Sequence, residues 1–349
     1  MDSPLRHALT ALANQQSLSE EQTAEVFGVV MSGEATPAQI GGLLLGLRAK
    51  GETADELAGA ARALRNAMVR VNAAHEHLVD TCGTGGGSVS TFNISTVAAF
   101  VASGAGAVVP KHGNRSYTSR CGSADVLEAL GIRIVLDAAS ASRVLSEARV
   151  VFLFAPSFHP AMKHVGPVRR ELGTPTLMNL VGPLANPANV KRQVIGVAEP
   201  ERAPIVAEAL VRLGAEHALV VHGRVGMDEI SPQGVTDVWE VKDGAVRTWE
   251  IDPERFRLGI KDVSHLQGGE PAANAERVER ILGNGGSGGE SPPDHAGLSA
   301  VLLNAGAAIY VAGIAASLAE GIGRAREVVA SGAARAALDR LRKAAASIS

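Results

Sequence analysis

The chain has 349 residues, 46% hydrophobic, 20% charged and 3% aromatic, with a formal net charge of -3. That length can bury one large or two moderate cores, while the charge and the scarcity of rings exclude a cationic or base-stacking nucleic-acid surface. Two cysteines, Cys82 and Cys121, cannot build a disulfide framework, no stretch reaches the roughly 18 apolar residues of a membrane span, and no basic-then-apolar leader opens the chain; the expectation is a cytoplasmic protein with no membrane or nucleic-acid partner.

The first seventy or so residues read as helices with short connections. Ser19-Glu20-Glu21-Gln22, Thr36-Pro37-Ala38-Gln39 and Thr53-Ala54-Asp55-Glu56 each fit a capping box, and Gly33 and Gly51 stand where the preceding helices should stop. From about residue 77 short β-prone runs alternate with helical ones. Strands are expected at His77–Asp80, Ala107–Pro110, Ile132–Leu136, Val150–Phe154, Gln193–Val197 and Ala218–Val221. Helices should begin near Ile94 and Ser123 and lie near Ser140–Ala148 and Pro204–Leu213. This rhythm predicts an α/β fold with a mainly parallel central sheet. Val235–Glu250 looks antiparallel, turning at Asp243-Gly244. Gly283–Pro293 reads as a mobile loop, and helices resume from about Gly297.

Between an expected strand and helix lies DTCGTGGGSVSTFNIST, residues 80–96. The dinucleotide fingerprint needs glycine where Ser88 stands, and the nucleotide-triphosphate loop needs a lysine that the stretch lacks. A helix N-terminus still offers N–H groups and partial positive charge to another anion, with Thr91, Asn93, Ser95 and Thr96 as side-chain donors; a plain glycine-rich turn and cap would read the same way. A second loop of the same layout, PKHGNRSYTSRCGSAD at 110–125, carries Lys111, His112, Asn114, Arg115, Ser116, Thr118, Ser119 and Ser123. Such density of cations, amides and hydroxyls suits a multiply charged oxyanion, the alternative being a solvated basic loop. Asp228-Glu229, after an expected strand, could hold magnesium together with ligand phosphates or stand as solvated surface. His159, Lys163, Arg169 and Arg170 should share a helix; arginine pairs well with a planar carboxylate, although a helix arginine is as readily a surface charge. The histidines show no zinc-ligand spacing.

Taken together, GTGG at 83–86, TFNIST at 91–96, KHGNR at 111–115, GSADVLEALG at 122–131, HPAMKHVGPVRRELG at 159–173, NLVGPLANP at 179–187, DEIS at 228–231 and LLNAGAAIYVAG at 302–313 resemble the anthranilate phosphoribosyltransferase family over nearly the whole chain. The resemblance implies a helical domain (1–72, completed near 163–185) beside an α/β domain (73–349), in the two-domain plan shared with nucleoside phosphorylases, assembled as a homodimer. It implies transfer of phosphoribose from phosphoribosyl pyrophosphate to the amine of anthranilate, in tryptophan biosynthesis, with two magnesium ions per subunit. Carried over by motif, the phosphoribosyl pyrophosphate site comprises Gly83, Gly86, Gly87, Thr91, Asn93, Ile94, Ser95, Thr96, Lys111, His112, Gly113, Asn114, Arg115, Ser116, Tyr117, Thr118, Ser119 and Ser123. Anthranilate would meet Gly83, Asn114, Arg169 and His159, and Ser95, Asp228 and Glu229 would hold the metals. The first loop is expected to take the pyrophosphate, and His112 is the one candidate for proton removal.

Two positions depart from the family pattern. Gly87 stands where an aspartate usually follows GTGG, and Cys121 where a serine usually precedes GSAD. The rival readings are a metal-free pyrimidine nucleoside phosphorylase and a non-catalytic relative that binds a polyanion.

Overall fold

The computed structural model describes residues 3–73, 75–116, 120–283 and 294–348. Tyr117, Thr118, Ser119 and all but the first residue of the Gly283–Pro293 loop lie outside them.

The chain opens with four helices, α1 (Pro4–Ala13), α2 (Glu20–Ser32), α3 (Pro37–Lys50) and α4 (Ala54–Ala67). All three expected capping boxes form: Ser19, Thr36 and Thr53 accept from the backbone three residues on, and Gln22, Gln39 and Glu56 accept the cap N–H in return. Gly33 ends α2 at φ 84°, a left-handed conformation that glycine adopts without steric cost. Glu56 does more than cap. Its buried carboxylate also accepts from Leu18 N–H (2.9 Å) and Lys50 Nζ (3.0 Å), which fastens the α1–α2 connection to α4.

Next come β1 (Asp80–Gly83), α5 (Ile94–Gly104), β2 (Val109–Gly113), α6 (Ser123–Ala129), α7 (Ala138–Ala148), β3 (Val150–Phe154), α8 (Ala155–Phe158), α9 (Met162–Leu172) and α10 (Leu177–Val181). They are followed by β4 (Arg192–Gly196), α11 (Ala203–Arg212), β5 (His217–Gly223), β6 (Thr236–Lys242), β7 (Ala245–Ile251), α12 (Pro271–Leu282), α13 (His295–Val311), α14 (Leu318–Ala330) and α15 (Ala333–Ala346). The strands pair in the order β1-β4-β5-β6-β7, with β2-β3 alongside. A parallel bridge between Leu78 and Val108, with Val79 N–H on Val108 C=O at 2.9 Å, joins the two sets through β1 and β2. Strands β3, β2, β1, β4 and β5 run parallel, and β6 and β7 finish the sheet antiparallel. The chain therefore leaves β1 to one side for β2 and returns to its other side with β4, and open α/β sheets bind ligands at such a reversal, beyond the carboxyl ends of the strands.

Alternation along β5 shows how the sheet divides two cores. Leu219 and Val221 enter one built with α5, α13 and α15, whereas Ala218 and Val220 enter one built with α11, the amino-terminal helices, α9 and α10. Strand β5 is buried along its whole length, as a central strand covered on both faces must be. The Asp243-Gly244 turn forms as expected, both residues at positive φ between β6 and β7.

The expected strand at Ile132–Leu136 is not one. Ile132, Ile134 and Leu136 are buried while Arg133 and Val135 are exposed, so the period-2 pattern is real, but among the described residues no partner strand pairs with it and the segment merely links α6 to α7. Strands β1 and β2 also sit two to three residues later than expected, which places Cys82, Gly83, Lys111, His112 and Gly113 on the sheet rather than in loops.

At the far end of the sheet Glu240 accepts from His217 Nε2 (2.8 Å), Tyr310 OH (2.7 Å) and Trp249 Nε1 (3.0 Å), tying β5, β6, β7 and α13 together. The His217 hydrogen bond, aided by Tyr310 and Trp249 against the opposing effect of burial, holds this carboxyl at about 2, below its ordinary 4.5. Its contribution to stability is thus present above pH 4.5 and lost as pH falls towards 2. Glu240→Gln should lower the melting temperature near neutral pH, with the deficit shrinking over that interval; a deficit independent of pH would refute the assignment.

Candidate active site

The carboxyl ends of β1, β2 and β5 deliver the chemistry. From β1 the chain enters the glycine turn and then α5; from β5 it enters the loop that carries Asp228 and Glu229. These two stretches meet: Asp228 Oδ2 accepts from Gly85 N–H at 2.9 Å, and Glu229 Oε1 from Ser95 N–H at 3.3 Å. The partial positive charge at the start of α5 therefore already faces a carboxylate of the protein itself. Bare backbone permits the approach. A side chain on Gly196 would overlap the Asp228 carbonyl, and one on Gly83 would come within 2.9 Å of the Asp228 carboxylate.

Both carboxyls are pushed above their ordinary range, chiefly by burial; for Glu229 the neighbouring Asp228 adds to it. Glu229 Oε2 is buried without a hydrogen-bond partner among the described residues. An orphaned carboxylate oxygen beside a second carboxylate and the Ser95 hydroxyl is an all-oxygen donor set, the chemistry that fits magnesium. Among the described residues no cluster of three or more His, Cys, Asp or Glu side chains could hold a metal unaided.

Lys111 lies beneath this group, buried, with Nζ on Thr81 C=O at 2.6 Å and on Ser95 Oγ at 3.2 Å. Burial lowers its pKa, opposed by Asp80, Cys82 and Glu229. Beside it His112 and His159 face each other, Nε2 to Nε2 at 3.1 Å. Burial takes His112 down to about 3 and His159 to about 4, so both rings are neutral near pH 7. His159 precedes α9 instead of lying on it, because α8 ends at Phe158 and the chain turns before Met162. Arg169, half-buried on α9, donates to Asn179 Oδ1 at 3.4 Å, and Asn179 also caps α10 through Thr176.

The remaining expected residues divide by orientation. Gly83 and Gly86 are exposed and Gly87 and Thr91 half-buried along the turn, while Asn114 and Ser123 meet through Ser123 Oγ on Asn114 C=O (3.2 Å). Ile94 and Thr96 are buried, and the Thr96 hydroxyl is enclosed. Gly113 packs so closely on Phe152 and Ser123 that a side chain would not fit. Arg115 is turned onto α6, pairing with Asp125 (2.7 Å) and Glu128 (2.6 Å), and Ser116 N–H donates to Asp125 at 3.4 Å. Asn93 Oδ1 accepts from Asn274 Nδ2 (3.0 Å) and the Cys121 thiol (3.5 Å), and its Nδ2 donates to Cys121 C=O (3.1 Å), so this side chain laces the two loops to α12. Cys121 thus keeps the donor role a serine would have, more weakly.

Several residues around the site stand in the sequence without a motif role of their own. Asp80, wholly buried, accepts from His112 N–H and from Asn186 Nδ2, which also reaches Pro110 C=O and so clamps β1 to β2. Arg277 lies 4.1 Å over the Phe92 ring and grips Asp294 with two nitrogens. Asn304 bonds the backbone directly after Glu229. The available signal was a lone amide or acid inside an apolar run, which is costly to bury unless it has a partner.

A helical bundle beside an α/β sheet, with two loops and an acid pair converging at one sheet edge, is the architecture of a two-domain glycosyl transferase. Two family models match in order, the helical bundle domain of the glycosyl transferase family over residues 6–68 and its a/b domain over residues 75–335. The chain is 49% identical over 337 residues to the anthranilate phosphoribosyltransferase of Anaeromyxobacter dehalogenans (strain 2CP-C), covering 97% of each, and 47% identical to that of Laribacter hongkongensis, covering 96% of each. Among solved structures, anthranilate phosphoribosyltransferase from Thermus thermophilus superposes with a TM-score of 0.90 at 42% identity, covering 97% of this chain and 99% of that one. The Saccharomyces cerevisiae enzyme in complex with PRPP and Mg superposes with 0.89 at 28% identity, covering 100% and 99%. The chain belongs to the anthranilate phosphoribosyltransferase family.

The histidine pair carries a pH prediction. Folded, the rings titrate at about 3 and about 4, against 6.5 when exposed, so below pH 6.5 the unfolded chain binds protons that the folded chain refuses. Stability therefore declines as pH falls through that interval. In the double variant His112→Asn with His159→Gln, the melting temperature should fall less steeply between pH 6.5 and 4 than in the parent; parallel slopes would show that the rings are not held neutral.

Proposed function

We propose that the chain transfers the phosphoribosyl group of 5-phosphoribosyl 1-pyrophosphate to the amine of anthranilate, releasing pyrophosphate, with magnesium held by Ser95, Asp228 and Glu229. The observation that carries this reading is the buried, unpartnered Glu229 oxygen beside Asp228, set across the first turn of α5 from the glycine loop. Bound there, magnesium supplies countercharge to the departing pyrophosphate. The donors of the Gly83–Thr91 turn and Ser95 line the same edge, preorganised for that developing charge. The reading takes the metal as two ions per subunit, the first loop as the pyrophosphate side and the chain as a homodimer.

Cleavage at ribosyl C1 passes through a cationic, oxocarbenium-like state that needs no protein nucleophile. The attacking aromatic amine is already neutral, so placement matters more than deprotonation. Arg169 orients it through the carboxylate with paired charge-assisted donors, and Gly83 and Asn114 give the ring room and a polar edge. At a pKa of about 3, His112 is too weak a base to accept a proton efficiently near pH 7. Its part, with His159, is to present an uncharged wall.

Loss of anthranilate fluorescence on adding phosphoribosyl pyrophosphate and magnesium tests the reaction directly. The signal should vanish with chelator and slow at least about tenfold in kcat/KM for Arg169→Ala, since a charge-assisted contact is worth about 1.5–3 kcal/mol. No decay at any magnesium concentration would overturn the reading, and free base released from a pyrimidine nucleoside and phosphate would favour the phosphorylase. Gly87 gives a second test. A Cβ there would lie 3.0 Å from Asp228 Oδ1, so Gly87→Asp adds a carboxylate beside the acid pair. Half-saturation should move to lower magnesium, and an unchanged magnesium profile would show that position 87 has no part in metal binding.

A further inference from the structure

We propose that Asn304 is a positioning residue for the Asp228–Glu229 pair and thereby sets how tightly the site holds its divalent cation; the inference rests on the transferase reading above. Asn304 interrupts α13, in which Val301, Leu302, Leu303, Ala305, Ala307, Ala308 and Ile309 are all buried. An amide in such a helix is destabilising unless its hydrogen bonds are met. They are met by one residue above all. Oδ1 accepts from Ile230 N–H at 3.0 Å and Nδ2 donates to Ile230 C=O at 2.9 Å, with a further bond to Ala300 C=O at 2.9 Å.

The paired donor and acceptor engage Ile230 as a neighbouring strand would, at a point where the chain has left β5 and runs in a loop. Ile230 directly follows Glu229, so a side chain on a rigid, buried helix fixes the backbone that carries both carboxylates. From the sheet side the same backbone is pressed by Gly196 and Gly83, which leave it space only because they lack side chains. Asn304 also lines the small cavity shared by Thr81, Ser95, Asp228 and Glu229. Two adjacent buried carboxylates repel each other, and without this clamp the loop can relax by turning one towards water. The cation would then meet a less complete donor set.

Calorimetric titration of magnesium–phosphoribosyl pyrophosphate into the parent, Asn304→Leu, Asn304→Ser and Leu303→Ala chains tests this. Asn304→Leu should weaken binding about tenfold or more at limiting magnesium, as loss of an outer-shell partner does elsewhere, and excess magnesium should restore it. Asn304→Ser, uncharged and keeping a hydroxyl that can donate and accept, should show a loss in the same direction, and reports on the clamp if the leucine variant does not fold. Leu303→Ala, a core truncation on the same helix, should lower the melting temperature without moving the magnesium requirement. Parent-like affinity in both Asn304 variants, or a loss that excess magnesium does not restore, would overturn the proposal. No heat from the parent chain would instead overturn the transferase reading on which it rests.

Discussion

Two neighbouring carboxylates, Asp228 and Glu229, are withdrawn from water at the carboxyl edge of the sheet, and much of the surrounding structure answers to that burden. Buried charge of one sign is strongly unfavourable unless compensated. Three compensations are present. Backbone N–H groups from Gly85 and Ser95 donate to the pair, the start of α5 contributes its partial positive charge, and the Lys111 ammonium beneath Ser95 adds a full one. One oxygen of Glu229 remains without a partner. Among the described residues the acid pair is thus left with one oxygen that no donor reaches, the point at which the proposed cation would bind.

The topology follows from the same requirement. Donors to the acid pair come from the β1–α5 turn and the acids from the loop after β5, and these can meet only because β4 alone separates the two strands. The loop after β5 must then cross the ends of β1 and β4, and it does so over Gly83 and Gly196. A side chain at Gly196 would overlap the Asp228 carbonyl and one at Gly83 would crowd the Asp228 carboxylate, and neither glycine is at positive φ. Their role is clearance, not turn geometry.

How much of this was legible in the sequence depended on whether a feature is local. Capping boxes and the Asp243-Gly244 turn concern residues a few positions apart and emerged where expected, while the alternation of strands and helices emerged with β1 and β2 displaced by two to three residues. Ile132–Leu136 misled for a tertiary reason: alternation reports one buried face, while a strand also needs a neighbour to complete its hydrogen bonds. The loop motifs were visible as clusters of glycine, hydroxyl and cation. Which of those groups face a ligand was not, because orientation depends on partners far along the chain. Thr96 turns into the core, Asn93 is committed to Cys121 and Asn274, and Arg115 is held by two carboxylates of α6. Asn304 and Asp80 act over long separations in sequence, so their role became visible only when the chain was folded.

The commitment of Arg115 bears on how the second loop works. Exposed ion pairs of this kind contribute little to stability, so Asp125 and Glu128 act less as a brace than as a resting place for the guanidinium. A phosphate entering near Asn114 would compete with two carboxylates for one arginine, whereas Glu229 Oε2 across the site has no hydrogen-bond partner among the described residues. The two halves of the site are therefore prepared differently. On the β5 side a buried acid oxygen is left unpaired among the described residues, and on the α6 side a guanidinium is held by two carboxylates. On the transferase reading proposed above, a ligand that brings metal and phosphate together would meet both halves at once, which neither inorganic phosphate nor a free divalent ion would do alone.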